Sequence, residues 1–419
     1  MYIAKPSPLN LLSDNARFHG LDAARAIALL IGIFHHGIES FVSYAKWDWV
    51  TQDSQSSLLL DILFYISHVF RMQAFFLMSG FFAHLLISRQ GYWNFAVNRA
   101  KRLLLPFVLF WPALYAITYY MWVWGIQHLK QCSYNEAVSK LPDYMVWSKG
   151  FPLMHLWFLY FLILFCAGVF LVRPLIARVI DKKSRIRNGV DRLLSHCLKK
   201  WWGSLIIGLF MVLPMLGMKD WFGVDTSASG LIPRLAPFIL YGMYFTLGWF
   251  IYRQTTLLKS VERFRFSNLI LSICLIVLLI VLNLLFGNPS PSRAQLILST
   301  FNILYAFASV TTVFAFIGYM LANFSEPSSR ILYLSDGSYW GYLIHLPLVA
   351  FFQIIVAPYD LFWGLKLVLI FAPTILILLS SYRYGVRNTS IGVLLNGKRK
   401  SLEDKPIFFN VTPKWLFKN

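Results

Sequence analysis

Charge is what this chain lacks. Only 13% of its 419 residues are Asp, Glu, Lys or Arg, against about 25% in an average soluble domain. Mean hydropathy is +0.60. That deficit excludes soluble enzymes, disordered tails, collagens and coiled coils, and leaves a polytopic membrane protein. Acid is scarcer than base, with 18 acidic against 38 basic side chains and a formal charge of +20. Cysteine is scarce too: Cys132, Cys166, Cys197 and Cys274. No two fall in one outer loop, so a structural disulfide is not expected. Cys-x-x-Cys and His-Glu-x-x-His spacings are missing, so no metal is expected. There is no internal repeat. The first hydrophobic segment lacks a cleavage pattern and is expected to stay as a helix.

Apolar runs are what the chain has. A transmembrane helix needs about 20 apolar residues. Ten segments qualify: 21–43, 59–88, 103–124, 155–172, 201–218, 235–252, 267–286, 298–322, 338–357 and 362–382. The second is long for one span, and Pro214 lies inside the fifth. With the N-terminus inside, the inner segments hold 28 Lys and Arg, the outer loops 7 and the spans 3. This bias predicts an all-α bundle of about ten transmembrane helices with both termini cytoplasmic. The net charge then reflects topology and contact with the lipid bilayer, and implies no nucleic acid. The bundle is expected to occupy 1–383, with 384–419 a loosely ordered basic cytoplasmic tail.

Ionisable residues inside a span are costly and mark function by default. The first helix reads LDAARAIALLIGIFHHGIES, with Asp22, Arg25, His35, His36 and Glu39. Arg25 and His36 are eleven residues apart, about three turns, so they share a face about 16.5 Å apart along the axis. Asp22 is placed to pair with Arg25, and Glu39 to orient His36. The plain alternative is polar glue between helices. An aligned Arg and His with a carboxylate at each end favours a site, and histidine is the usual proton acceptor near neutral pH.

Four further stretches stand out. HVFRMQAFFLMSGFF places Arg71 and Gln73 deep in the second span, followed by Ser79-Gly80, which suits close helix packing. NRAKRLLLP carries Arg99 and Arg102 on one face, either as positive-inside charge or as a phosphate clamp. MHLWFL sets His155 and Trp157 at an expected outer boundary, where aromatic residues are common anyway. SYWGYLIHLP puts His345 two residues before Pro347, close to a carbonyl that the proline frees.

These stretches, in this order on a ten-helix topology, resemble the acyltransferase family 3 membrane proteins, from about residue 18 to 383. The FRMQAFFLMSG and HLWFL runs look most like the branch that succinylates osmoregulated periplasmic glucans. The resemblance implies a multi-pass enzyme of the bacterial inner membrane. It implies a cytoplasmic donor, an acyl-CoA such as succinyl-CoA, with no permanently bound cofactor, and a periplasmic glucan acceptor. It also implies essential roles for Arg25 and His36. The adjacent His35 departs from the family pattern. The short tail leads us to expect no fused periplasmic domain after the spans.

A mechanism follows from placing the residues together. Arg25, Arg99 and Arg102 are expected to hold donor phosphates, and Asp22 and Ser79 are counted in the substrate-binding set. His36, backed by Glu39, takes the proton of a sugar hydroxyl. Arg71 either stabilises the oxyanion or binds the free carboxylate of a succinyl group. Gln73, His155, Trp157 and His345 complete the expected substrate-binding set. Direct transfer is preferred to an acyl-enzyme, because no serine or cysteine is expected on the His36 face. The outer loop 125–153, with Trp122, Trp124, Tyr134, Tyr144, Trp147 and Phe151, offers rings to sugars or to the membrane interface. The rivals are O-acetylation of another envelope glycan (O-antigen or exopolysaccharide), a transporter or flippase, and a non-catalytic sensor. Polar residues gathered in the first four helices, without a matching set in the second half, weigh against a transporter.

Overall fold

The computed structural model describes residues 18–43, 49–220, 223–225, 228–286 and 291–397. Ten long helices dominate: α1 His19–Ile38, α2 Leu58–Arg99, α3 Leu105–Lys130, α4 Trp157–Leu175, α5 Gly203–Met215, α6 Leu235–Arg253, α7 Arg265–Phe286, α8 Pro291–Asn323, α9 Ser329–Val356 and α10 Trp363–Ser381. No strand occurs among the described residues; Pro152 and Ser229 form one isolated bridge between loops. All ten expected spans are helical, so the chain is an all-α polytopic membrane protein.

Eight helical segments are long and apolar enough to cross a membrane. One of them, Leu58–Lys130, is a single run that contains the second and third expected spans. Within it the backbone turns at Gly91, whose φ of 78° is left-handed and unfavourable for residues with a Cβ. The chain folds back so that Arg99 and Leu103 face Phe75 and Ser79 across one cavity. The fifth expected span is only the 13-residue α5, about 20 Å long at 1.5 Å per residue.

We call the end where α1 begins, near Arg25, the basic end, and the end where it finishes, near Ser40, the far end. α1 lies centrally, packed on α2, α8, α9 and α10. α2 runs along α6 because small residues let the backbones touch: a Cβ on Gly80 would overlap the Phe245 carbonyl, and one on Gly248 the Leu77 carbonyl. The main core joins α2, α4, α6 and α8 through Phe76, Phe81, Phe161, Tyr244 and Tyr305. α7 turns Ile270, Ile273, Val277 and Leu284 outward, as a lipid-facing helix would.

Two expectations are corrected. The tail is ordered at its start: helix Ser390–Asn396 is tied down by Asn396 Nδ2 donating to the Asp336 carbonyl at 2.8 Å. Tail residues 398–419 lie outside the described residues. HLWFL does not sit at an outer rim. His155 Nε2 lies 3.0 Å from the carbonyl of Leu343, the middle of the 28-residue α9. Trp111 Nε1 also donates to the Pro152 carbonyl at 2.8 Å. The loop before α4 therefore dips into the bundle, and α4 starts deep.

Candidate active site

α1 stays helical to Ile38 and then tightens into a 3₁₀ turn, Glu39–Phe41. That turn brings Glu39 under the imidazole of His36, with Nδ1 2.9 Å from Oε2. An ionised carboxylate only accepts, so Nδ1 carries the proton and Nε2 presents a lone pair. His36 is partly open, with 20% of its side chain exposed.

His35 differs in each respect. It is buried, stacked on Phe64 at 4.0 Å, and its Nδ1 lies 2.7 Å from Ser67 Oγ. Ser67 spends its own proton on the Phe64 carbonyl, so His35 is the donor to it. His35 is thus held as a packed, hydrogen-bonded core residue.

Two more imidazoles continue from His36. The His345 ring is 5.4 Å away, and the His155 ring is 5.7 Å beyond that. His345 Nδ1 donates to the Tyr342 carbonyl at 2.8 Å, which fixes its tautomer and leaves Nε2 unprotonated. His155 donates from Nε2 to Leu343, and its Nδ1 is buried without a hydrogen-bond partner. Residues from α1, α9 and the dipping loop therefore converge, although 119 positions of sequence separate His36 from His155. Arg71 is buried on α2, with Nη1 3.4 Å from the Gly32 carbonyl, one turn before His36. His35, His36 and Glu39 are also close enough to be weighed as a metal-binding set. The Glu39 and Ser67 bonds already occupy Nδ1 of both rings.

The basic end holds a separate cavity of about 110 Å³, lined by Arg25, Ser79, Arg99 and apolar side chains including Phe75, Met78 and Leu162. Arg25 donates to Ser335 Oγ at 2.6 Å and lies 3.5 Å from Asp22. Nε of Arg25 and Nε of Arg99 are both buried without a hydrogen-bond partner. Two cations at an apolar slot suit an anionic group on a thin chain. Arg102 is not part of this lining; its Nη1 donates to the Asn396 carbonyl at 2.6 Å.

The remaining expected residues scatter. Trp157 packs in the aromatic core against Tyr241 and Phe161, both at 5.4 Å. Gln73 is fully buried, and its amide has no hydrogen-bond partner. The expectation of no serine near His36 fails. Ser40 follows one turn later, buried, with Oγ accepting from Gln353 Nε2 at 3.1 Å. Gln353, Trp49, Ser335 and the Asp53–Lys366 pair were not anticipated. A search for every amide inside an apolar run, as Gln73 was found, would have caught Gln353 in FFQII. Trp49 lies in a loop and carried no signal.

Comparison with known proteins agrees with this architecture. The acyltransferase domain profile of acyltransferase family 3 matches residues 18–383. Glucans biosynthesis protein C of Escherichia coli strain K12 / DH10B is 26% identical over 404 residues, covering 91% of this chain and 95% of that protein. Its counterpart in Escherichia coli O17:K52:H18 is 25% identical over 405 residues, with the same coverage. No solved structure matches the chain.

Proposed function

The chain belongs to acyltransferase family 3, and from that premise we propose that this membrane O-acyltransferase moves a succinyl group from succinyl-CoA to hydroxyls of a periplasmic glucan. The Glu39–His36 pair carries the reading, since the carboxylate engages Nδ1 and leaves Nε2 as the basic nitrogen of a side chain that is 20% exposed. The relatives' name, glucans biosynthesis protein C, supports the acceptor class. In this reading the basic end faces the cytoplasm of an inner-membrane protein, which the distribution of Lys and Arg supports.

The chemistry balances within these residues. The donor's phosphates rest on Arg25 and Arg99, and its thioester arm rises along α1 over about 16.5 Å. A sugar hydroxyl enters from the far end and gives its proton to His36 Nε2 as its oxygen bonds to the thioester carbonyl carbon. Glu39 stabilises the imidazolium that forms. Arg71 faces the oxyanion. Collapse breaks the carbon–sulfur bond, and the imidazolium returns its proton to the thiolate, giving ester and free CoA.

The test uses the full-length protein in nanodiscs with acyl-labelled succinyl-CoA and purified periplasmic glucans. Label should appear in alkali-labile ester on the glucan, one free thiol per ester. Transfer to O-antigen or exopolysaccharide alone would overturn the acceptor assignment. Absence of any ester would overturn the reaction.

A further inference from the structure

The far end of α1 is held by one side chain on another helix. Gln353 of α9 is 1% exposed. The two N–H groups of its Nε2 are shared among three acceptors, the carbonyls of His36 at 2.9 Å and Gly37 at 3.0 Å and Ser40 Oγ at 3.1 Å. These two carbonyls belong to the last turn of α1, where a helix has no backbone donor left to offer. Its Oε1 accepts the indole N–H of Trp49 at 2.8 Å. The Trp49 ring lies nearly parallel to the His36 imidazole, at 5.5 Å and 11°. Trp122 closes the other side edge-on, at 5.4 Å.

The amide assignment is forced by the chemistry. An indole can only donate, so the oxygen must face Trp49 and the nitrogen must face the two carbonyls. Gln353 therefore reaches His36 twice: through the backbone that carries it and through the ring laid on it. Glu39 fixes the third direction, the line of Nδ1.

We propose that Gln353 is a positioning residue for the transfer reaction, setting the His36 imidazole through the end of α1 and through Trp49. It touches no reacting atom. The proposal rests on His36 being the base, and its test has a readout that does not depend on that.

Gln353→Met keeps the length and volume of the side chain and removes every one of these bonds. Trp49→Phe keeps a stacking ring, though a smaller one, and removes the N–H. Both are made in the full chain in nanodiscs and assayed with succinyl-CoA and periplasmic glucan. Carbethoxylation of His36 by diethyl pyrocarbonate is followed in parallel by mass spectrometry. Gln353→Met should lower kcat about 10- to 100-fold, the scale of a small misplacement of a catalytic group, with KM for succinyl-CoA within about twofold. Its His36 should be carbethoxylated several-fold faster. Trp49→Phe should move both readouts the same way by less. Wild-type kcat and wild-type His36 reactivity in Gln353→Met would reduce Gln353 to packing and overturn the proposal. A raised KM with unchanged kcat and reactivity would overturn it as well. If Gln353→Met does not assemble, Trp49→Phe decides alone, and unchanged values there overturn it. If wild type transfers no acyl group, the function fails while the reactivity of His36 still decides the positioning.

Discussion

At the scale of the residue, the account distinguishes two neighbouring histidines by their partners. His36 faces a carboxylate and keeps 20% of its side chain exposed; His35 is buried against Ser67 and the Phe64 ring. His36→Ala should abolish transfer, with loss of at least about 10²-fold, the lower range for general-base removal. His35→Ala should keep most of the activity and lose stability instead, visible as a lower Tm in detergent. Glu39→Gln should lower kcat without affecting binding of the acyl donor, because it removes the charge that stabilises imidazolium. Steady-state kinetics on the three variants checks this. The pairings of Asp22 with Arg25 and of Glu39 with His36 were legible in the sequence, since helical periodicity sets each pair one turn apart. His155 and His345 were legible as residues but not as neighbours of His36, because only the tertiary path of the loop before α4 brings them together. Gln353 shows the converse limit: an amide in an apolar run is visible, but the two carbonyls it caps are not.

At the scale of the element, close packing and one buried ion pair set the geometry. The α2–α6 contact depends on Gly80 and Gly248. Gly80→Ala should separate the two backbones and cost about 1–3 kcal/mol, as overpacking does, which a thermal melt in nanodiscs would register. Between α1 and α2, residues 49–57 strap the far end. Lys366 of α10 meets Asp53 at 2.6 Å, and both side chains are almost wholly buried. Asp53 N–H also donates to the Ser40 carbonyl at 2.8 Å. Asp53→Ala would leave a buried, unpaired ammonium, at a cost of about 3–5 kcal/mol. The double variant Asp53→Ala with Lys366→Met should recover much of that stability, which a thermal melt of both proteins measures. The existence of the helices was readable from apolar length. The break at Gly91 was readable too, because it falls in the polar segment 89–102 that separates the second and third expected spans. The depth of HLWFL was missed for a physical reason: Trp beside a hydrophobic run fits a membrane interface and a buried aromatic cluster equally well.

At the scale of the whole molecule, two ends with different chemistry imply a path between them. The basic end offers Arg25 and Arg99 with unspent donors beside an apolar slot. The far half offers the imidazole and the aromatic strap above it. About 16.5 Å of α1 separates the two groups, a span suited to a donor that is charged at one end and reactive at the other. The positive-inside pattern favours a cytoplasmic basic end, which cysteine labelling tests. In a cysteine-free background, Lys130→Cys at the end of α3 should react with an impermeant maleimide in cells with a permeabilised outer membrane, and Lys199→Cys only after the inner membrane is lysed. The reverse order would invert the donor and acceptor sides. The central claim is that His36 delivers an acyl group to a periplasmic glucan, and the most direct measurement is ester-linked succinate on glucans from a deletion strain. That strain is complemented with wild type, His35→Ala or His36→Ala at matched membrane levels. The account predicts succinyl esters with wild type and His35→Ala and none with His36→Ala. Esters with His36→Ala, or loss only with His35→Ala, would contradict it.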